Sequence, residues 1–154
     1  MKLTVVAVGK VRAAYYADAV DAYAARLRRL SAFELREVRD AKGTDPVRNK
    51  EREGEALLAA LPKGATVVVL DERGELIGSR ALADRFERAC VGGQPHWAFV
   101  IGGADGHGEA VRRAAHWVWS LSPLTLPHEL ARVVLVEQLY RASSLRAGEP
   151  YHRD

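Results

Sequence analysis

The sequence has few residues for disulfide bonds or cysteine-bound zinc, and it has no clear membrane-spanning segment or signal peptide. One of its 154 residues is a cysteine, Cys90, so the chain can form neither an internal disulfide nor a cysteine zinc cluster. No apolar run approaches the roughly 20 residues that a membrane-spanning helix requires. The first residues also lack the long apolar stretch and small-residue cleavage site of a signal peptide. These absences predict a cytoplasmic protein and disfavour secretion and membrane insertion.

Common nucleotide and metal motifs are missing as well. The glycines of the loop IGGADGHG fall at 102, 103, 106 and 108, which does not match the dinucleotide pattern G-x-G-x-x-G. No G-x-x-x-x-G-K-[ST] phosphate loop occurs. His128 and Glu129 are similar to the start of a zinc-protease helix, but Arg132 stands where its second histidine would fall. We therefore expect no metal site.

The composition is that of one globular domain, which we place at residues 1–154. Hydrophobic residues make up 48% of the chain and charged residues 28%, and a chain of this length buries roughly 70% of its unfolded surface. Residues 10–52 hold 11 Lys or Arg against 7 Asp or Glu, more than the net charge of +3 of the whole chain. Such a basic segment could contact a phosphate backbone, or its cations could simply be solvated on helix surfaces.

Apolar patterns along the chain predict strands and helices that alternate from end to end. This alternation favours an α/β fold, a largely parallel sheet with helices on both faces, whose ligands bind at the carboxyl ends of the strands. Ser79 is predicted to cap the third helix, and Thr44 or Asp45 the second. The predicted strands are 3–8, 33–38, 65–70, 97–101 and 118–121; the predicted helices are 16–30, 45–61, 79–90, 111–115 and 130–145.

Two loops at strand ends carry unusual residue patterns. The glycine loop would let backbone groups approach a flat ligand closely, although a tight strand-to-helix turn would use the same residues. In SLSPLTLPH, Pro123 and Pro127 exclude a regular helix or central strand. Its leucines could wall an adenine ring, or the segment could be a connection packed for stability.

The end of the chain is rich in side chains that bind nucleic acid. Glu137 and Arg141 lie one turn apart on the last predicted helix, where an intrahelical ion pair is the simplest interpretation. The final residues are PYHRD. Tyrosine, histidine and arginine stack on bases and hold phosphates, whereas many chain ends are frayed and have no function.

Taken together, these segments resemble the SPOUT methyltransferases and, within them, the RlmH family, which methylates N3 of a pseudouridine in 23S large-subunit ribosomal RNA. The resemblance spans the chain. It implies a trefoil knot in the C-terminal part, S-adenosylmethionine as cofactor, and a homodimer whose active site crosses the interface. It also implies that the substrate is the assembled ribosome. The segments that carry it are LTVVAVGK, VVLDERG, FVIGGADG, WSLSPLTLPHELARVVLVEQLYRA and PYHR.

The resemblance also assigns residues. Those it places near the RNA and the methyl group are His128, Arg141, Tyr151, His152 and Arg153. Among them His152 could accept the proton of the target nitrogen, and Arg141 or Arg153 could stabilise the resulting anion. Family members vary within ADGHG, so Asp105 and His107 receive no role. The implied cofactor contacts are Leu70, Gly103, Ser122, Pro123, Leu124, Thr125, Leu126 and Pro127.

Three other interpretations remain open at this point. A SPOUT enzyme could act on transfer RNA or on another ribosomal position. A non-catalytic ribosome-binding or assembly protein could use the same basic segment and aromatic tail. A nucleotide-using α/β enzyme of another kind is disfavoured by the missing phosphate and dinucleotide motifs.

Overall fold

The computed structural model describes residues 1–151, which form five strands and five helices in strict alternation. All strand pairs are parallel, and the strands lie in the order β2-β1-β4-β3-β5. The predicted α/β fold with a parallel sheet is therefore confirmed. The elements are β1 (Lys2–Val8), α1 (Ala14–Leu27), β2 (Ala32–Val38), α2 (Pro46–Ala60), β3 (Thr66–Leu76), α3 (Ser79–Val91), β4 (His96–Ile101), α4 (Glu109–Ala114), β5 (Trp117–Ser120) and α5 (His128–Ala147).

The sheet is covered on both faces because alternate residues of each inner strand point to opposite sides. In β1, Val5 packs in a core cluster with residues of α3 and α5, whereas Val6 packs in a second cluster with Leu57 of α2 and Val111 of α4. Helix α1 packs against α5. Both faces of the central strands are thus buried, which is why their sequences are continuous apolar runs.

The helix starts agree with the sequence at one predicted cap and differ at the other. The Asp45 side chain accepts a hydrogen bond from the Val47 amide at 3.0 Å, and Pro46 occupies the first turn of α2. Ser79, however, is the first residue of α3 and makes no cap hydrogen bond. Its hydroxyl instead donates to Gln138 Oε1 on α5 at 2.5 Å, a tertiary partner that local sequence does not reveal.

Strand β3 continues beyond its predicted end because it contains a wide bulge. Leu70 and Glu75 both pair with Trp119, so residues 71–74 protrude from the ladder. A Cβ at Gly74 would lie 2.7 Å from the backbone carbonyl carbon of Trp119, so the return of β3 to the sheet requires glycine there. The predicted strand ended at Leu70 because polar residues follow it, and in the structure those residues, 71–74, form the bulge.

The parallel sheet brings all carboxyl strand ends to one edge. The loops after β3, β4 and β5 meet there, beside the loops after β1 and β2. Strand order does not specify how the chain threads through its own loops, so the trefoil knot stays a prediction. Within residues 1–151, no helix combines the length and the apolarity needed to cross a bilayer.

Candidate functional site

A cavity of about 660 Å³ opens at the carboxyl ends of β3, β4 and β5. Its volume lies in the range of small-molecule sites, roughly 300 to 1,000 Å³. Most of its walls come from three segments, and Arg112 and Ala131 complete the lining. The segments are residues 70–73, where β3 enters its bulge, the glycine loop at 101–107, and residues 119–128 apart from Pro123. These are the strand ends at which the sequence predicted a ligand.

The glycine loop is a tight turn and a cavity wall at once. The Gly106 amide donates to the Gly103 carbonyl at 3.1 Å, which closes the turn. A Cβ at Gly102 would lie 3.0 Å from the His107 ring, and a Cβ at Gly103 would lie 3.0 Å from Glu53 Oε1. Because neither residue has room for a side chain, the loop presents backbone to the cavity.

His107 joins two walls of the cavity. The ring is buried, and its Nε2 lies 3.0 Å from the Leu70 carbonyl oxygen, to which a protonated Nε2 donates. Burial is the main cause that lowers the pKa of His107, so the ring is neutral near pH 7. The sequence analysis gave this residue no role. The one available signal was an imidazole inside a run of glycines.

The proline-broken segment is an ordered loop held by its own side chains. Ser120 Oγ donates to the Ser122 carbonyl at 2.8 Å, and the Leu124 amide donates to Ser122 Oγ at 2.9 Å. Thr125 Oγ1 lies 3.2 Å from Glu72 Oε2, which ties the segment to the β3 bulge. Residues 122 and 124–128 border the cavity, whereas Pro123 is exposed and does not.

The rim of the cavity carries an ionised carboxylate. Asp71 accepts from Arg73 Nε at 3.1 Å and lies 3.4 Å from Arg112 Nη2. Hydrogen bonds from Arg73 are the largest cause that lowers the pKa of Asp71 to about 2. Asp71 is therefore ionised near neutral pH, so it contributes a negative charge to the cavity and cannot donate a proton there.

Arg141 and Tyr151 form a separate cluster around Glu137. Arg141 Nη2 lies 2.6 Å from Glu137 Oε1, and the Tyr151 hydroxyl donates to the same oxygen at 3.0 Å. The guanidinium lies 4.8 Å from the centre of the Tyr151 ring. Burial, the Tyr23 hydroxyl and Glu137 raise the pKa of Tyr151 to about 12, so this hydroxyl keeps its proton. Tyr151 is thus anchored on α5 and is not frayed.

This cluster lies far from the cavity within one chain. His128, at the first position of α5, borders the cavity, but Arg141 follows 13 residues later, about 20 Å along the helix axis. Neither Arg141 nor Tyr151 lines the cavity. His152 and Arg153 lie outside the described residues.

Two buried charged residues behind the cavity were not identified from the sequence. Arg132 is 1% exposed; its Nη1 donates to Glu37 at 2.7 Å, and its Nη2 donates to the Val8 and Gly9 carbonyls. It thereby joins α5 to the carboxyl ends of β1 and β2. Glu53 is 6% exposed and accepts from the Ala41 amide at 3.0 Å. Burial is the main cause that raises the pKa of Glu53.

Comparisons with known proteins agree over nearly the whole chain. A family model described as "Predicted SPOUT methyltransferase" matches residues 1–152. "Ribosomal RNA large subunit methyltransferase H" of Anaeromyxobacter sp. (strain Fw109-5) is 49% identical over 99% of this chain and 100% of its own length. The protein of that name from Geotalea daltonii is 43% identical over 99% of both chains.

A solved structure shares the fold. A probable methylase family protein from Haemophilus influenzae Rd KW20 aligns with a TM-score of 0.54 over 99% of this chain and 70% of its own. The two sequences are 12% identical, so this likeness concerns the fold alone.

Proposed function

The chain belongs to the SPOUT methyltransferase family, and from that premise we propose that it transfers a methyl group from S-adenosylmethionine to N3 of a pseudouridine in 23S ribosomal RNA. We propose further that it acts as a homodimer on the assembled large subunit. The observation that carries this proposal is the backbone-walled cavity at the strand ends. It is present in a chain whose relatives, at 43 and 49% identity over their full lengths, are named for this class of reaction.

The cavity has the features that an adenosyl cofactor requires. Its volume is adequate, its glycine wall carries no side chain beyond the backbone at Gly102 and Gly103, and the 122–127 segment contributes apolar side chains. When bound, S-adenosylmethionine supplies a methyl group already activated by the positive charge on its sulfur. The residues that would hold it are Leu70, Gly103, Ser122, Leu124, Thr125, Leu126 and Pro127, with Pro123 shaping the turn between them.

The main task of the protein is positioning, because the methyl donor is intrinsically reactive. Holding two reactants in line can lower the barrier by up to about 7 to 11 kcal/mol. In this proposal the cavity walls fix one reactant, and His128, exposed at the start of α5 on the cavity rim, contacts the RNA. His107 contributes by holding the glycine loop against the end of β3.

The proton of the target nitrogen has to leave before or during transfer. Tyr151 is a poor acceptor because its hydroxyl is neutral and donates to Glu137. In our proposal His152 accepts the proton, and Arg141 or Arg153 stabilises the anion. Since Arg141 lies about 20 Å along α5 from His128 in the same chain, a second copy of the chain would have to bring these residues to the cavity. This separation supports the homodimer.

Mass mapping of modified nucleotides tests the reaction. Ribosomes from cells that lack the gene should lose one methyl group from a large-subunit pseudouridine, and purified protein with S-adenosylmethionine should restore it. A missing methyl group at a different nucleotide would support a SPOUT enzyme of other specificity. Unchanged ribosomes, together with no S-adenosylmethionine binding by calorimetry, would support a non-catalytic ribosome-binding protein.

The assembled-ribosome substrate needs its own measurement. The described residues are occupied by the catalytic fold, so a surface large enough to recognise RNA has to come from the dimer and from a preorganised partner. We expect intact large subunits to be methylated much faster than extracted 23S RNA. Equal initial rates on the two substrates would contradict this part of the proposal.

A further inference from the structure

We propose that a basic strip beside the cavity is the surface that holds the ribosomal RNA backbone while the target nucleotide reaches the rim of the cavity; the inference rests on the proposed function. The strip consists of exposed cations from the β1–α1 loop, the β2–α2 connection and the first turns of α2. Its members are Lys10, Arg12, Arg39, Lys42, Arg48 and Arg52.

The strip is continuous with the cavity through three contacts. The Arg12 amide donates to Glu129, the residue after His128. A Cβ at Gly108, where the glycine loop ends, would lie 3.6 Å from the Lys50 carbonyl oxygen on α2. One turn further along α2, Glu53 lies behind Gly103. The strip therefore lies beside the glycine-loop and His128 sides of the cavity, so RNA that reaches the rim there can also contact the strip.

The cations of the strip make few direct ion pairs. Within residues 1–151, five of the six make no ion pair, and the sixth, Arg12, lies 3.6 Å from Asp40 with its side chain 79% exposed. Elsewhere on the described surface, arginines such as Arg85 and Arg146 pair with carboxylates at 2.7 to 2.8 Å. Unpaired arginines beside a ligand cavity retain their full capacity to bind an anion.

The geometry of the strip suits a phosphate chain better than a single phosphate. Arg48 and Arg52 lie one turn apart on the same face of α2, at a depression of about 290 Å³ that also includes residues 43–45 and Asn49, with Asp45 as its carboxylate. Asn49 holds the connection in place through hydrogen bonds with the Gly43 amide and carbonyl at 3.1 and 2.9 Å. Lys10 and Arg12 come from the loop after β1, which the Arg12–Asp40 contact joins to the β2–α2 connection. The charges thus come from three segments of the chain, an arrangement that suits several successive phosphates.

The proposed RNA contact is tested by replacing two exposed arginines of α2 with alanine, which favours the helical conformation. The double variant Arg48→Ala/Arg52→Ala keeps the α2 backbone and lies outside the proposed cofactor and methyl-transfer residues. We expect its KM for large ribosomal subunits from gene-deleted cells to rise about tenfold, with kcat and S-adenosylmethionine affinity unchanged. The salt dependence of its binding to 23S RNA should weaken by about one to two in log–log slope, since each lost phosphate contact contributes about 0.7 to 0.9.

The matched control removes the same charge from the opposite edge of the sheet. Arg29 and Arg88 are exposed at the ends of α1 and α3, so Arg29→Ala/Arg88→Ala changes the net charge equally. The inference is overturned if the two double variants show equal KM values and equal salt slopes. If the wild-type protein methylates no ribosomes, the proposed function fails, whereas the salt slopes on 23S RNA still decide whether the strip binds the backbone.

Discussion

The carboxylate of Glu53, on α2, lies directly behind Gly103 in the glycine loop. A Cβ at position 103 would come within 3.0 Å of Glu53 Oε1 and 3.2 Å of a Val8 methyl carbon. Glu53 cannot easily withdraw, because its other oxygen accepts from the Ala41 amide at 3.0 Å and the side chain is buried. A helix outside the cavity therefore determines how far the cavity wall can move.

We predict that Gly103→Ala weakens S-adenosylmethionine binding. The added methyl group overpacks a buried contact, at a cost of typically about 1 to 3 kcal/mol, and the loop is expected to shift into the cavity. The dissociation constant measured by calorimetry should rise about tenfold, since a tenfold change corresponds to about 1.4 kcal/mol. The control is Gly78→Ala, where a Cβ would have nothing within 4 Å.

A second variant tests whether contact with Glu53 causes the loss of S-adenosylmethionine affinity in Gly103→Ala. Aspartate at position 53 draws the carboxylate back by one methylene, so Gly103→Ala should cost less affinity in a Glu53→Asp background than in the wild type. Strictly additive effects of the two substitutions would mean that the two residues do not interact.

We predict that His107 makes the protein less stable in mild acid. Burial lowers the pKa of His107 in the folded chain, whereas the unfolded chain has a pKa of about 6.5. Between these values the unfolded chain binds the proton and the folded chain does not, so stability falls as pH decreases below about 6.5. The urea midpoint should drop more from pH 7.5 to 5.5 in the wild type than in His107→Gln. His96, whose pKa burial also lowers, contributes equally to both proteins, and equal drops would contradict the assignment.

We predict that Arg132→Met destabilises the fold severely. The substitution removes the donor to the Val8 and Gly9 carbonyls and the partner of Glu37, whose side chain is 32% exposed. Loss of a partner for a buried acceptor costs about 1 to 3 kcal/mol, so we expect a loss of at least that size. Urea denaturation measures this change. Arg113→Met is the control, because the Arg113–Glu109 pair is more than 70% exposed on both sides and should contribute less than about 1 kcal/mol. If both variants lost a similar free energy of unfolding, the hydrogen bonds of Arg132 would not be an important source of stability.

We predict that removal of residues 151–154 separates binding from turnover. The truncated protein should bind S-adenosylmethionine almost normally, because the cavity walls end at His128 and Ala131. Methyl transfer should fall by about a hundredfold or more if the tail supplies the acid–base group. Removal of Asp154 alone is the control. Unchanged turnover in the longer truncation would exclude the tail from the mechanism.

Tyr151→Phe distinguishes packing from hydrogen bonding in the same region. Phenylalanine keeps the edge contact with Tyr140, whose ring centre lies 4.7 Å away, but removes the donor to Glu137. We expect the thermal midpoint to change little and turnover to fall moderately, because Glu137 also holds Arg141. A midpoint as low as that of the truncated protein would mean that the hydroxyl, and not the ring, anchors the tail.

The sequence alone was sufficient for the order of strands and helices, for the parallel sheet and for the strand ends at which a cavity forms. The reason is that burial on both faces requires continuous apolar strands such as 65–70, while glycine and proline act locally on the backbone at 102–108 and 122–127.

Only the tertiary structure revealed the groups that connect distant segments. The imidazole of His107 bonds to a carbonyl 37 residues away, and the guanidinium of Arg132 bonds to one 124 residues away. Sequence periodicity cannot predict either hydrogen bond. Residues so far apart in the chain are brought together only by the tertiary fold. The same limit applies to the distance between His128 and Arg141: spacing places them on one helix, and only the fold shows that the cavity contacts just one of them.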